Sequence, residues 1–376
     1  MTYLDYAAAT PLDADVLTAM QPYFTEWFHN PSAGYMAAQK VRADLEQARA
    51  AVAAQIGARA SEIIFTAGGT ESDNLAVIGV MQQFPHANVV TSAIEHDAVL
   101  EPARQFNSSV ALVNEQGMLL LDDLESKIND QTVLVSMMYA NNEVGTIQPI
   151  RQVSQLIAGI RDERRKNGNT LPIYLHTDAC QAANYLDLHV SRLGVDLMTL
   201  NGGKIYGPKQ SGILYVSSKV QLQPLVRGGG QERNLRSGTE NVAACIGFAK
   251  ALELAQAERH EEAQRLGKLQ ALAVGLIHQK LPSAILNGSE KHRLPNNIHL
   301  TLPGQDNERL LMELDEREIL AAAGSACSAS NEEPSHVLRA MGVSEADAQA
   351  SLRITMGRHT TETHIRTLVD ALATLI

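Results

Sequence analysis

The sequence is poor in cysteine, in aromatic residues and in long apolar runs, and these shortages exclude several classes of protein. Its three cysteines, Cys180, Cys245 and Cys327, form no CxxC pair, so neither a disulfide framework nor a metal site is expected. No apolar run approaches the roughly 20 residues of a membrane span, and the first residues lack a secretory pattern. The net charge of -11 disfavours direct nucleic-acid and membrane binding. We therefore expect a cytoplasmic protein.

The length and composition indicate a globular protein with more than one domain. The 376 residues exceed the usual size of one domain, and 45% of them are hydrophobic. Between residues 62 and 216, short apolar runs alternate with segments of helical period, which indicates an α/β domain with a parallel sheet. The pattern predicts strands at residues 63–66, 89–92, 133–138, 173–177, 197–200 and 212–216, and helices at 71–84, 97–106 and 150–166. Ligands bind such domains at the carboxyl ends of the strands.

The pattern changes after residue 230. A long helix is predicted at residues 241–280, followed by the mixed pattern of a smaller α+β domain. There we predict strands at 297–302 and 351–356 and helices at 307–314, 334–341 and 362–375; two more helices are predicted at 13–28 and 35–56. We divide the chain into a large domain, residues 13–256, and a small domain, residues 1–12 and 257–376.

Two residues at neighbouring strand ends combine an acid with an amine. Asp178 follows one predicted strand, and Lys204 follows the next after two glycines. One crossover between these strands places both side chains at the same sheet edge. A carboxylate there can pair with a cationic ring nitrogen, and a buried lysine can form a Schiff base. Taken singly, Asp178 is better explained as a helix N-cap or loop residue, and a lone lysine such as Lys204 is usually a solvated surface group.

Other strand ends carry groups that suit a phosphorylated ring or a carboxylate. Gly69 and Thr70 lie between a strand and a helix, where backbone N–H groups either bind a phosphate or merely complete a turn. His96 either stacks on a planar ring or starts a helix. Asn141 offers an amide donor or makes a turn, and Arg353, like Arg358 nearby, either clamps a carboxylate or forms a structural ion pair.

Cys327 differs from the other two cysteines in its surroundings. It lies among small residues, AGSACSAS at 323–330, which have neither helical nor strand period. We expect an exposed loop there, where a thiol is available for nucleophilic chemistry. Cys180 and Cys245 are expected to be buried and inert, as most free cysteines are.

Together these motifs resemble those of cysteine desulfurases of the NifS/IscS type, in the class V aminotransferase family of fold-type I pyridoxal-phosphate enzymes. The resemblance extends nearly over the whole chain. It rests on YLDY at residues 3–6, TESDN at 70–74, EH at 95–96, NNE at 141–143, DACQ at 178–181, KIYGPK at 204–209, RSGT at 236–239, GSAC at 324–327 and GRHTT at 357–361. It implies a large domain with a mainly parallel seven-stranded sheet and a smaller α+β domain.

The resemblance also implies a role for individual residues. The cofactor-binding set is Gly69, Thr70, His96, Asn141, Asp178, Gln181, Asn201, Lys204 and Thr239, and the substrate-binding set is Asn30, Asn141 and Arg353. Lys204 would carry pyridoxal phosphate covalently, Asp178 would pair with its ring nitrogen, and His96 would stack on the ring. In this family Thr239 reaches the phosphate of the neighbouring subunit, which implies a homodimer.

The implied reaction converts L-cysteine to L-alanine and leaves the sulfur on Cys327 as a persulfide. The loop at residues 322–334 is long, which is typical of members that deliver sulfur to acceptor proteins. An iron–sulfur scaffold or a tRNA-thiolation enzyme is the expected acceptor. The alternatives are selenocysteine lyase or a transaminase of the same family, and a non-catalytic partner protein with this fold.

The sequence departs from the family pattern at four positions near the expected site. Asn201 and Gly203 replace a serine or alanine and a histidine before the lysine, and Ala33 and Tyr35 stand where a serine and a histidine are usual. Asn201 still offers an amide donor, whereas Gly203 offers only its backbone. We therefore expect altered contacts to the phosphate and in the substrate pocket.

Overall fold

The computed structural model describes residues 1–324 and 334–376, and its strands fall into three sheets. The strands are β1 (Thr2–Tyr3), β2 (Ile63–Thr66), β3 (Asn88–Ser92), β4 (Asn107–Ala111), β5 (Thr132–Ser136), β6 (Tyr174–Asp178), β7 (Leu197–Asn201), β8 (Gly212–Val216), β9 (Ile285–Leu286), β10 (Asn297–Thr301), β11 (Ile319–Leu320) and β12 (Ser351–Thr355).

The α-helices lie between these strands and at the two ends of the chain. They are α1 (Ala14–Met20), α2 (Pro22–Thr25), α3 (Met36–Ile56), α4 (Gly69–Gln83), α5 (Asp97–Ala103), α6 (Leu121–Lys127), α7 (Ile150–Lys166), α8 (Val190–Leu193), α9 (Val242–Lys280), α10 (Asn307–Asp315), α11 (His336–Ala340), α12 (Glu345–Gln349) and α13 (Glu362–Leu375). Short 3-10 turns cover Ala60–Glu62, Gly202–Lys204 and Glu232–Asn234.

The largest sheet has seven strands in the order β2-β8-β7-β6-β5-β3-β4. β8 runs antiparallel to both of its neighbours, and the other pairs are parallel. The strands β5, β6 and β8 are buried along their whole length because helices cover both faces of the sheet. The predicted mainly parallel seven-stranded sheet is confirmed.

Two predictions of single elements were wrong. β4 was missed because its sequence, NSSVA, is polar and largely exposed at the sheet edge, so it lacks the apolar run of an inner strand. The helix predicted at residues 13–28 is instead two short helices. Pro22 has no N–H to continue the first helix and occupies the first position of the second, which ends at Thr25.

The second core belongs to the smaller α+β part of the chain. Its three-stranded antiparallel sheet, β12-β10-β9, packs on α10, α13 and the later turns of α9. Within α9, residues up to Ala255 pack in the core of the large sheet, and residues from Leu266 onward pack in this second core. The domain boundary between residues 256 and 257 falls inside this helix and stays a prediction.

Residues 2–10 extend from the second core to the edge of the large sheet. β1 pairs with β11, and the buried Leu4 lies in the second core. Farther along, the Thr10 N–H donates to the Gly203 carbonyl, just beyond the end of β7. This path brings Ala7 and Ala8 to the carboxyl ends of the strands. In the described ranges, no helix has the length and apolarity to cross a membrane.

Candidate active site

A cavity of about 170 Å³ opens at the carboxyl ends of β6 and β7. Residues from the amino-terminal segment, from α4 and its preceding turn, and from β12 complete its wall. The lining residues are Ala7, Ala8, Gly69, Thr70, Asp73, His96, Met138, Ala140, Asn142, Asp178, Cys180, Gln181, Asn201, Lys204 and Arg353. Most of the residues proposed for the cofactor therefore share one cavity, as the motif positions predict.

Lys204 lies in a tight turn directly after β7. A Cβ at Gly202 would lie 2.1 Å from the Ser211 Oγ, so a larger residue there would displace the Ser211 side chain. The Lys204 Nζ donates to the carbonyls of Ala7 and Ala8, each at 2.7 Å. Burial lowers the pKa of the Lys204 amine. A lowered pKa suits an amine that forms a Schiff base and exchanges protons near neutral pH.

Asp178 is the last residue of β6, and its carboxylate lies in the same cavity as Lys204. Its Oδ1 accepts a hydrogen bond from the Cys180 N–H at 2.8 Å, which fixes the orientation of the carboxylate. Cys180 is buried, and desolvation raises the pKa of its thiol well above the usual value. The prediction that Cys180 and Cys245 are buried is confirmed, and the Cys180 thiol stays protonated beside Asp178.

A polar ladder beneath Asp178 crosses three neighbouring strands. The His176 Nδ1 lies 2.8 Å from the Ser136 Oγ on β5, and its Nε2 lies 3.0 Å from the Thr199 Oγ1 on β7. The Asp73 Oδ1 on α4 lies 3.6 Å from the His176 Nε2 and, among the described residues, has no hydrogen-bond partner. Burial lowers the pKa of His176 to about 4, and burial followed by the nearby Asp178 charge raises the pKa of Asp73. His176 is therefore neutral at pH 7, and the protonated form of Asp73 is favoured.

Glu95 and His96 follow β3 and approach the cavity from its other side. Glu95 is fully buried; its Oε1 accepts from the Ser92 hydroxyl and, at 2.8 Å, from the Met138 N–H. Burial raises the pKa of Glu95 to about 8 despite these donors. His96 lines the cavity and also caps α5, since its Nδ1 accepts from the Ala98 N–H at 3.0 Å. His96 therefore both starts a helix, as one interpretation of the sequence expected, and lines the cavity.

The turn between β2 and α4 has the geometry that an anion site requires. Gly68 has a φ of 135°, which a residue with a side chain adopts only under strain, and α4 begins at the next residue. A Cβ at Gly69 would lie 2.9 Å from the Cys180 Sγ. Gly69, Thr70 and Asn201 also line a second cavity of about 250 Å³. An α-helix N-terminus beside a threonine hydroxyl favours a bound phosphate.

Arg353 on β12 reaches the same cavity as Lys204, whereas Arg358 does not line it. The Arg353 Nη2 donates to the Asp5 Oδ1 at 2.8 Å, and its Nη1 donates to the Asn142 carbonyl at 3.2 Å. Arg358 instead pairs with Asp13 at 2.8 Å and lies over the Tyr206 ring. Both arginines that the sequence indicated form ion pairs, and of the two Arg353 lines the cavity.

Three of the sequence-predicted residues lie outside the cavity. The buried Asn141 amide donates to the Ile94 carbonyl and accepts from two backbone N–H groups, so Asn142 lines the cavity in its place. The Asn30 Oδ1 accepts from the Ser32 N–H in a turn. Thr239 is exposed. Gln181, by contrast, lines the cavity and donates to the Ala7 carbonyl at 3.0 Å.

Cys327 and most of the predicted loop at residues 322–334 lie outside the described residues. The described chain resumes at Pro334, and two contacts fix its path there. The His336 Nε2 lies 2.9 Å from the Glu95 carbonyl, and the Ser335 hydroxyl donates to the Glu143 carboxylate. The segment that follows the loop therefore lies beside Glu95, next to a residue that lines the cavity.

The described cavity has the groups that pyridoxal phosphate requires. A buried amine can attach its aldehyde, a carboxylate can pair with its ring nitrogen, and a helix N-terminus with a hydroxyl can hold its phosphate. Lys204, Asp178 and the Gly69–Thr70 turn supply these three groups. The residues present therefore fit this cofactor.

Comparisons with known proteins agree with this geometry. A family described as aminotransferase class V matches residues 2–368. A protein of Dictyoglomus turgidum named cysteine desulfurase IscS is 40% identical over 381 residues, covering 100% of this chain and 94% of that protein. A solved NifS-like protein is 32% identical with a TM-score of 0.90, covering 100% of this chain and 98% of its own. A structure described as SspA in complex with cysteine is 33% identical with a TM-score of 0.79, covering 96% and 100%.

Proposed function

This chain belongs to the class V aminotransferase family and, within it, to the cysteine desulfurases; on that premise we propose that it uses pyridoxal phosphate to convert L-cysteine to L-alanine and transfers the sulfur to Cys327. The observation that carries the proposal is the shared cavity of Lys204, Asp178 and Arg353. Lys204 as the base, the Asp178 carboxylate as the partner of the ring nitrogen and Arg353 as the cation for the substrate carboxylate then line one small cavity. The solved SspA with bound cysteine supports the choice of substrate.

The residues proposed to hold the cofactor come from separate parts of the cavity wall. Lys204 would bind its aldehyde carbon, Asp178 would pair with its ring nitrogen, and His96 would cover the ring. The N-terminus of α4, with Thr70 and Asn201, holds the phosphate. When bound, pyridoxal phosphate supplies an electron sink conjugated to the substrate Cα.

The chain's own groups then orient the substrate and move protons. Arg353 binds the substrate carboxylate and so fixes the Cα near Lys204. Burial lowers the pKa of the Lys204 amine, which favours the unprotonated form that can accept the Cα proton. The negative charge of Asp178 would favour a protonated ring nitrogen when the cofactor is bound. Because His176 is neutral, it does not compensate the negative charge of Asp178.

The sulfur step requires no outside oxidant or reductant. The Cys327 thiolate attacks the substrate sulfur; a sulfur–sulfur bond forms, and the substrate bond between carbon and sulfur breaks. The electron pair of the broken bond stays on the substrate carbon, which takes up a proton to become the methyl group of alanine. The persulfide then remains on Cys327 for transfer to an acceptor.

We also propose a homodimer and protein acceptors of the sulfur. Thr239 is exposed, and so are large apolar side chains of the segment before and at the start of α3, including Phe24, Phe28 and Met36. A partner subunit that covers this surface would bring Thr239 to the neighbouring phosphate. An iron–sulfur scaffold or a tRNA-thiolation enzyme is the acceptor we propose, because the relatives share the name IscS.

Intact-mass analysis after incubation with L-cysteine tests the sulfur step. The wild-type protein should gain one sulfur atom on Cys327, together with release of alanine. Cys327→Ala should gain none and release no alanine, whereas Cys245→Ala, which removes a buried thiol, should behave as wild type. Alanine release by Cys327→Ala at the wild-type rate would refute the mechanism, and formation of mercaptopyruvate instead of alanine would favour a transaminase.

Reduction with borohydride before mass analysis tests the cofactor attachment. The wild-type protein should retain one pyridoxyl group on Lys204, and Lys204→Ala should retain none. Lys219→Ala is the matched control because Lys219 is an exposed lysine outside the cavity. A pyridoxyl group that maps to any other lysine would contradict the assignment.

A further inference from the structure

The guanidinium of Arg353 is paired with a carboxylate of the chain itself. Its side chain is only 2% exposed, although the residue lines the cavity. Within the described chain its charge partner is Asp5, at 2.8 Å, and the Asn142 carbonyl accepts a second hydrogen bond. The Arg353 Nε is buried and has no partner among the described residues. The Arg353 Nε–H is therefore an unused donor, and Asp5 neutralises the charge of the guanidinium.

Asp5 is held by its backbone rather than by its side chain. It forms a parallel bridge with Thr355, two residues beyond Arg353 on β12, and its carbonyl accepts from the Tyr3 hydroxyl at 2.8 Å. Its carboxylate, 19% exposed, makes the Arg353 ion pair and no other described hydrogen bond. The side chain can therefore turn away without disturbing the strand.

We propose that Asp5 is an internal counter-ion that occupies the place of the substrate carboxylate on Arg353 and yields it when the substrate binds. The inference rests on the proposed role of Arg353 in holding that carboxylate. A buried arginine without a partner is strongly unfavourable, so a resident carboxylate stabilises the substrate-free protein. The same carboxylate competes with the substrate, and it therefore weakens substrate binding and raises KM.

Asp5→Asn tests this competition because it keeps the shape of the side chain and removes its charge. We expect the KM for L-cysteine to fall about three- to tenfold while kcat stays within about twofold, since one charged hydrogen bond is weakened. The Kd of L-alanine, measured by calorimetry on the holoenzyme, should fall by the same factor. Asp5→Glu, which restores the charge, should return both constants toward wild type.

Asp13→Asn is the matched control for this variant. Asp13 also joins the amino-terminal region to a later arginine, Arg358, at 2.8 Å, but Arg358, unlike Arg353, does not line the cavity. Asp13→Asn should leave KM and the Kd of L-alanine unchanged. An unchanged or raised KM in Asp5→Asn would overturn the inference and make Asp5 a structural partner of Arg353. If Asp5→Asn does not fold, Asp5→Ser is measured against the same expectation.

Arg353→Lys separates failure of this inference from failure of the proposed function. If Arg353 holds the substrate carboxylate, the loss of its planar fork should raise KM at least about tenfold. An unchanged KM would remove Arg353 from the substrate site. A raised KM in Arg353→Lys, together with no fall in KM for Asp5→Asn, would leave the substrate site intact and refute only the counter-ion role of Asp5.

Discussion

Replacing Glu95 with glutamine removes a buried acid whose protonation depends on the fold. Its side chain is fully buried, its Oε1 accepts from Ser92 and Met138, and its Oε2 has no partner among the described residues. Glutamine keeps an acceptor oxygen in the same place and resembles the protonated acid in shape. The substitution therefore isolates the effect of the titrating proton from that of packing.

The magnitude follows from the two pKa values of the group. Burial raises the pKa of Glu95 from 4.5 to about 8 in the folded protein. A raised pKa contributes stability that is fully present below pH 4.5 and is lost as the pH rises through 8. Within this window the loss is about 1.4 kcal/mol per pH unit. From about pH 5.5 to about pH 7.5, Glu95→Gln should therefore gain roughly 3 kcal/mol relative to wild type.

Urea unfolding of both holoproteins at about pH 5.5, 6.5 and 7.5 measures this difference across the window between the two pKa values. The other titrating groups, such as His176, are common to both proteins and cancel in the comparison. A difference in unfolding free energy that stays constant across the three pH values would mean that Glu95 titrates alike in the folded and unfolded states. The folded protein would then not raise the pKa of Glu95.

Glu62→Gln provides a control of opposite sign. Burial acts to raise the pKa of Glu62, but hydrogen bonds from the Arg59 and Ser218 N–H groups and the Arg59 side chain outweigh it and lower the pKa. A lowered pKa contributes stability that is lost as the pH falls through the folded value. The Glu62→Gln comparison should therefore change below about pH 4.5 and stay flat from about 5.5 to 7.5.

Three further predictions concern packing, buried charge and the ring partner. Gly212→Ala would place a Cβ 2.8 Å from the Gly68 Cα, so we expect a loss of about 1–3 kcal/mol in urea unfolding together with weaker cofactor retention. In the wild-type protein, Arg49 pairs with the buried Glu232 carboxylate at 2.6 Å, and Arg49→Met leaves that carboxylate without its cation. The unfolding free energy should then fall by about 3–5 kcal/mol. The double variant Arg49→Met with Glu232→Gln should recover part of this loss. Asp178→Asn should lower kcat at least about a hundredfold with little change in the unfolding midpoint, because the ring nitrogen loses its charge partner; a near-normal kcat would exclude Asp178 as the ring partner.

The parts of this protein that the sequence predicts are those with a strong local pattern. Apolar runs such as the one before Asp178 predict the inner strands. The position of Lys204 at a strand end is predicted for the same reason, because Lys204 comes soon after such a run. Asn141 and Asn142 show the limit of this reasoning. Both follow the same strand, and only the turn of the backbone decides that the Asn141 amide points inward while Asn142 lines the cavity.

The polar ladder could not be predicted for a different reason. Ser136, His176 and Thr199 lie on three strands that are adjacent only because of the sheet order, and each reads as a polar interruption in an apolar run. Asp73 joins them from a helix. Strand order depends on packing across the whole domain, so single-residue patterns do not contain it.

The route of residues 2–10 has a consequence for how the protein is made. Asp5 and Arg353, which form one ion pair, are 348 positions apart, and Ala8 and Lys204 are 196 apart. At about 5–20 residues per second, a ribosome needs roughly 15–70 s between synthesis of Asp5 and synthesis of its partner. During that interval the carboxylate of Asp5 lacks its native partner, Arg353. The cavity therefore lacks Arg353, one of its lining residues, until translation has passed β12.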